Sequence, residues 1–375
     1  MSFNALKINK NLAKYSLFLV LLIQLGCSSE RDPDAALAMA REAFDNKNYA
    51  VMEIELKNVL RAQPDNAEAR FLLAEANLEF ARGLAAEVQL DKARNLGLEP
   101  ARLIAPYLRA WMYQKKYDQV LDSEKAGGIT ADIAANDAAL QSEVQAITGI
   151  ALLAKQRLEE AQERFKKAIA LDGANAVALT GSAQLAYKQE DNTLGDQRLA
   201  EALEKAPDYA PAWSLAGDVR RVNKDLEGSI EAYSQAIKLR PSNADDRLAR
   251  GLIYLGMKDR DGAKKDINAL IKSGYRVPHA AYLSGVLGTI DGDIGLAKDH
   301  FESVVAKNPQ YMKAVCYLGL TLAATESFER AEANLERCVA TYPGAAFTRR
   351  AYTLVLTAQG NIAAAKKQLA YLAEQ

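Results

Sequence analysis

Apolar positions fall at helical spacing from about residue 33 onward, as pairs of short segments joined by tight polar turns. The stretch Ala210 to Asn243, APAWSLAGDVRRVNKDLEGSIEAYSQAIKLRPSN, shows the unit most clearly. Trp213, Leu215, Ala216 and Gly217 mark one helix. Ile230, Tyr233, Ala236, Ile237 and Leu239 mark a second, and Pro241 prevents its continuation. Gly217 and Ser229 are expected where the two antiparallel helices cross closely, with Trp213 and Tyr233 filling the space on either side. One such hairpin cannot bury both of its apolar faces, so it needs neighbours on each side.

The neighbours are present. Pro207, Pro241, Pro309 and Pro343 fall on one 34-residue grid, with Gly173 and Tyr275 at its two vacant points, and Pro64 and Leu98 mark earlier boundaries. Counting from three residues after each boundary, the eighth position is Gly149, Ala183, Gly217, Gly251, Gly285 and Gly319. The twentieth is Ala161, Gly195, Ser229, Ala263, Ala297 and Ala331. The twenty-fourth is Phe165, Leu199, Tyr233, Ile267, Phe301 and Leu335. This small, small, large pattern resembles the tetratricopeptide repeat (TPR) over residues 33–375, in ten units. The resemblance implies an all-α fold, a TPR superhelix (α-solenoid) of about ten helix-turn-helix units. The third unit, about residues 101–141, is irregular. Its second helix is expected to be cut at Gly127-Gly128, and seven extra residues precede the next regular unit at Ser142. The last unit stops two residues before its next boundary, and Leu369, Tyr371 and Leu372 are expected to leave an apolar edge open to self-association.

Ahead of the repeats, residues 1–26 read as an export signal. Lys7, Lys10 and Lys14 form a basic start, and Ser16 to Ile23 is an apolar core far short of the ~20 residues of a membrane span. Leu25-Gly26-Cys27 then resembles the lipobox of bacterial lipoproteins, although Gln24 stands where that family prefers Leu. The resemblance implies lipidation of Cys27, a short polar tether over 27–32, and attachment to a membrane through the lipid. An ordinary cleaved signal or a short anchor with an incidental cysteine is the alternative. Ser28, rather than Asp, follows the cysteine, which by resemblance to enteric lipoproteins implies the periplasmic face of the outer membrane.

Composition removes several functions. The chain has 47 basic and 48 acidic residues, interleaved along helices. Without the three signal lysines it carries 44 against 48, a net −4. No basic cluster suggests nucleic acid, and no strand series is visible. His279 and His300, the two histidines, fall on different helices of one unit and support no catalytic triad. Asp291, Asp293 and Glu302 lack the sharp-turn glycine of a calcium loop, and Gly285, Gly288, Gly292 and Gly295 follow no strand. No cofactor, metal site or enzyme is expected. Cys338 takes the place of a buried Ala, while Cys316 is expected to face the groove, so that no disulfide joins them.

In TPR arrays the first helix of each unit lines the concave face through its second, fifth, ninth and twelfth residues. Here that selects Tyr187, Asp218, Arg221, Leu248, Leu252, Leu255, His279, Tyr282, Val286, Lys313, Leu320, Phe347, Arg350 and Leu354. The stripe is apolar and aromatic with a few charges, and it lacks the Lys, Asn and Arg set that clamps a C-terminal carboxylate. It suits an amphipathic helix or an extended apolar peptide; packing of a tight superhelix is the competing reading.

The N-terminal third carries a narrower resemblance. Glu55-Leu56-Lys57-Asn58-Val59-Leu60, Ala85-Ala86-Glu87 and Lys116-Tyr117 with Val120-Leu121-Asp122, within Asn48 to Asp122, resemble the TPR lipoproteins of the exosortase/PEP-CTERM system. This chain is much shorter than those proteins usually are. The resemblance implies a scaffold in envelope sorting of PEP-CTERM proteins and exopolysaccharide production. The alternative is a lipoprotein of outer-membrane assembly or type IV pilus biogenesis.

Overall fold

The computed structural model describes residues 32–46, 48–124, 130, 137–272 and 277–373. The signal segment 1–26, Cys27 with residues 28–31, Gly127-Gly128 and the last two residues lie outside the described residues. Every regular element among the described residues is an α-helix. None is long and apolar enough to cross a membrane.

The helices form two compact bodies, divided between Leu140 and Gln141. The first holds three hairpins: α1 (Pro33–Asp45) with α2 (Tyr49–Ala62), α3 (Ala67–Glu79) with α4 (Gly83–Asn95), and α5 (Pro100–Tyr113) with α6 (Tyr117–Asp122). The second body begins within α7 (Ala138–Ala154), whose first three residues fall on the other side of the division, and α7 pairs with α8 (Leu158–Leu171). Then come α9 (Ala176–Lys188) with α10 (Asn192–Lys205), α11 (Ala210–Val222) with α12 (Leu226–Leu239), and α13 (Ala244–Gly256) with α14 (Arg260–Lys272). It closes with α15 (Val277–Asp291) and α16 (Ile294–Lys307), α17 (Met312–Ala324) and α18 (Phe328–Thr341), and α19 (Ala346–Ala358) and α20 (Ile362–Ala373). Ten hairpins result, as the repeat grid implies. The division falls in the irregular third unit, where α6 is cut to six residues.

Local chemistry starts and turns each hairpin. Asn66, Asn175 and Asn243 cap first helices, and Asp191, Asp225 and Asp293 cap second helices, each side chain accepting from a backbone N–H of the first turn. The turn inside the hairpin needs one left-handed residue. Among the described residues, seven non-glycine residues take that strained conformation, including Lys224 at φ 65° and Lys258 at φ 62°, while Gly292 and Gly360 supply it without strain.

Close crossing is built as the small, small, large pattern requires. Ser229 Oγ donates to the Gly217 carbonyl at 2.7 Å, and the Tyr233 ring lies against Gly217. Phe165 packs in the same way against Gly149 and against Gly181 of the next hairpin. The large twenty-fourth residue is thus held by its own hairpin on one side and by the following first helix on the other.

One expectation is overturned. Cys316 and Cys338 form a disulfide across the α17–α18 hairpin, with Cα atoms 5.2 Å apart. Cys316, at the fifth position of α17, faces Cys338 at position twenty-seven of its own hairpin instead of the groove. The equivalent pairs Ala146 with Ala168 and Thr180 with Ala202 are also buried. Both cysteines are buried.

Candidate functional site

In the second body, α13, α15, α17 and α19 pack side by side, so residues at one repeat position form rows across them. The ninth-position row is Leu252, Val286, Leu320 and Leu354, apolar throughout. Leu252 and Leu320 are half-buried and Val286 is buried, but Leu354 is 71% exposed. Phe347, one helix stretch of seven residues earlier on the same face of α19, is 72% exposed. Lys313 and Arg350 are exposed around them. The row is therefore packed at its start and open at its end. That open end can bury apolar side chains of a ligand while two cations meet its carboxylates.

The remaining groove candidates fall into two sets. Leu248, Leu255, His279 and Tyr282 belong to the interior of the second body. Tyr282 sits edge-on to Phe301, Tyr311 and Tyr317, with centroids 6.0, 5.3 and 5.9 Å away. Burial first, and then the neighbouring phenols, push its hydroxyl pKa above the ordinary value. His279 Nε2 lies 3.2 Å from Asp245 Oδ1, and its Nδ1 is buried with no hydrogen-bond partner among the described residues. Tyr187, Asp218 and Arg221 lie on α9 and α11 and brace the hairpins. The Tyr187 hydroxyl donates to Asp196 at 2.7 Å, and the Tyr233 hydroxyl donates to Asp218 at 2.8 Å, with Arg221 3.5 Å from the same oxygen.

Two polar arrangements were not legible as sites in the sequence. In the second body, Arg250 clamps the buried Asp266 through Nε at 3.0 Å and Nη2 at 2.6 Å, and its Nη1 donates to Ser234 Oγ at 2.7 Å. This ties α12, α13 and α14 together with charge-assisted hydrogen bonds. Beside it, Asp246 is buried and accepts from Asn243 Nδ2 at 2.6 Å. In the first body, second- and ninth-position residues meet as ions instead of as an apolar row. Arg102 reaches Glu68 at 2.9 Å, and Arg109 reaches Glu75 at 3.1 Å and Glu79 at 3.0 Å. Glu68 with Arg102 and Glu75 with Arg109 stand 34 apart, one repeat, a spacing that could have revealed them.

The residues that carry the narrower resemblance do structural work in that body. Glu87 accepts from Trp111 Nε1 at 2.9 Å, Gln114 Nε2 at 2.7 Å and Lys116 Nζ at 2.8 Å, locking α4 to α5 and its turn. Burial alone would raise the Glu87 pKa, but these hydrogen bonds outweigh it and hold the carboxyl below its usual range.

Among the described residues, no group of three or more His, Cys, Asp or Glu could hold a metal.

The family model described as TPR repeat matches residues 217–258, from the α11–α12 crossing through α13. With nine regular helix hairpins and one shortened one among the described residues, the architecture is an all-α array of TPR-like hairpins. Among curated proteins, a UDP-N-acetylglucosamine–peptide N-acetylglucosaminyltransferase of Giardia intestinalis is 24% identical over 139 residues, 36% of this chain. The match spans 9% of that enzyme's length. Of solved structures, Pseudomonas aeruginosa pilF is similar at TM-score 0.49 and 18% identity, over 58% of this chain and 97% of that one. Yeast Tom70 is similar at TM-score 0.49 and 13% identity, over 90% and 84%.

Proposed function

We propose that this chain is a lipid-anchored, non-enzymatic scaffold of the bacterial cell envelope, acting in the sorting of PEP-CTERM proteins and in exopolysaccharide production. It holds a protein or peptide ligand in the first-helix groove. The observation that carries the binding role is the row Leu252, Val286, Leu320 and Leu354, packed at one end and open at Phe347 and Leu354. Covering those two side chains contributes about 1.5–3 kcal/mol each. That is a large share of the ~8 kcal/mol of a micromolar complex, and binding energy concentrates in such anchors.

Two features support the envelope assignment. The Leu25-Gly26-Cys27 junction after a short apolar core suits a lipid anchor. The buried Cys316–Cys338 disulfide suits an oxidising compartment, because such bonds persist outside the cytosol. The motif residues Glu55, Glu87 and Lys116 support the narrower family role.

The test is a host strain lacking this chain, complemented with wild type, Cys27→Ser or the double variant Phe347→Ser/Leu354→Ser. The reading expects loss of surface-retained PEP-CTERM proteins and exopolysaccharide in the deletion. It expects Cys27→Ser to appear in the soluble fraction or as unprocessed precursor. The groove variant should stay folded and membrane-bound yet fail to complement. Normal sorting in the deletion with lost pili or misassembled outer-membrane proteins would replace the assignment with the pilus or assembly role.

A further inference from the structure

The two ends of the described array present surfaces that are covered in every other regular hairpin. Position twenty-four of the second helix is at most 7% exposed in the eight regular hairpins before the last, for example at Leu56, Leu199 and Phe301. Part of that cover comes from the next first helix: the Tyr317 ring of α17 stacks on Phe301 of α16 at 5.1 Å. In α20 the residue at this position is Leu369, and it is 52% exposed. Ala365 of α20, which faces its own hairpin partner, remains buried. Only the side that a following helix would cover is open.

The first helix shows the converse. Position three is at most 7% exposed in the nine later first helices, as at Ala69, Ala212 and Thr348. In α1 the residue there is Ala35, and it is exposed, together with Ala38 and Glu42 on the same side. No described helix precedes α1. Ala35 and Ala38 leave room on that face for a large side chain, as Gly181 of α9 does for Phe165.

Charge matches the shape. Helix α1 with its cap carries Asp32, Asp34, Glu42 and Asp45 against Arg41, a net −3. Helix α20 carries exposed Lys366 and Lys367 and no carboxylate, a net +2. Two copies of α20 brought together would oppose lysine to lysine, whereas α20 against α1 opposes lysine to carboxylate.

We infer that the open edge of α20 receives α1 of a second copy of this chain, head to tail, continuing the repeat packing across molecules. The contact is heterologous, so it closes into a ring or extends as an open filament according to the rotation between copies. It uses neither Phe347 nor Leu354 and stands independently of the groove's ligand.

The experiment mixes two differently tagged full-length chains in mild detergent, one Ala38→Cys and one Leu369→Cys, and joins them with a short bis-maleimide. The expected product is a heterodimer that needs both cysteines, with neither single variant linking to itself above the wild-type background. Raising salt to about 1 M, where the Debye length is about 3 Å, should reduce its yield. Lys366→Glu/Lys367→Glu on the Leu369→Cys chain should cut the yield about tenfold, as two weak surface attractions become repulsions. Asp34→Lys/Glu42→Lys on the other chain should restore it. Leu369→Cys chains linking to each other would overturn the inference in favour of edge-to-edge pairing. No product with intact circular dichroism, or loss without restoration, would overturn it as well.

Discussion

Replacing Gly217 tests the register on which the repeat rests. A Cβ at this position would stand 2.8 Å from Cδ1 and Cε1 of Tyr233, where ordinary contacts begin at 3.4 Å. The ring cannot swing clear. It is buried, its hydroxyl is tied to Asp218 at 2.8 Å, and Ser229 pins the Gly217 carbonyl at 2.7 Å. Gly217→Ala therefore incurs about 1–3 kcal/mol of overpacking, offset in part by about 1 kcal/mol of helix propensity. The net loss is about 0–2 kcal/mol, and Gly217→Leu loses more. Gly256 is the control, since it ends α13 and a Cβ there meets nothing within 4 Å. Gly256→Ala should be neutral or slightly stabilising. Repeat arrays need not unfold as one unit, so urea titration is paired with native-state hydrogen exchange of α11 and α12. The ~2 kcal/mol contrast corresponds to roughly 1 M in urea midpoint. Equal losses from the two substitutions, or unchanged exchange in α11 and α12 for Gly217→Ala, would refute the crossing.

Burial raises the Asp246 pKa from 3.8 to about 6, against hydrogen bonds from Ser214 and Asn243 that lower it. The folded chain then binds more protons than the unfolded one between about pH 4 and 6, so stability falls as pH rises through that window. Asp246→Asn should flatten this slope and stabilise by about 1–2 kcal/mol at pH 7.5, measured by urea titration at both ends; an unchanged slope would contradict it. Peptide mapping without reductant should recover Cys316 joined to Cys338, and Cys316→Ser/Cys338→Ser should cost about 2–3 kcal/mol for a crosslink of separation 22. Lys224→Gly relieves a left-handed residue at φ 65° and should stabilise by about 0.5–1 kcal/mol, seen as a raised melting temperature.

The hairpins were legible because their packing needs one small, small, large triad per unit, and Gly217, Ser229 and Tyr233 occupy the places that triad assigns. The disulfide was misread because position five, held by Cys316, was assigned to the groove by a rule of spacing. The actual helix rotation turns it onto Cys338. Spacing also could not separate Tyr282, buried among three aromatic neighbours, from Leu354, since both sit at groove positions. Their difference arises from what the next hairpin covers. The clamp of Arg250 on Asp266 joins residues on adjacent helices of one hairpin and follows no repeat period, so no pattern in the chain announces it.

The central claim is that ligand binding concentrates at the open end of the first-helix row. A photo-crosslinking phenylalanine analogue placed at Leu354 in living cells reads this directly, with the same residue at Leu84 of α4, also exposed, as control. The account predicts a discrete protein product at 354 and none at 84, with the product lost when Phe347 is changed to Ser and the chain remains folded. Products at 84 with none at 354 would contradict it.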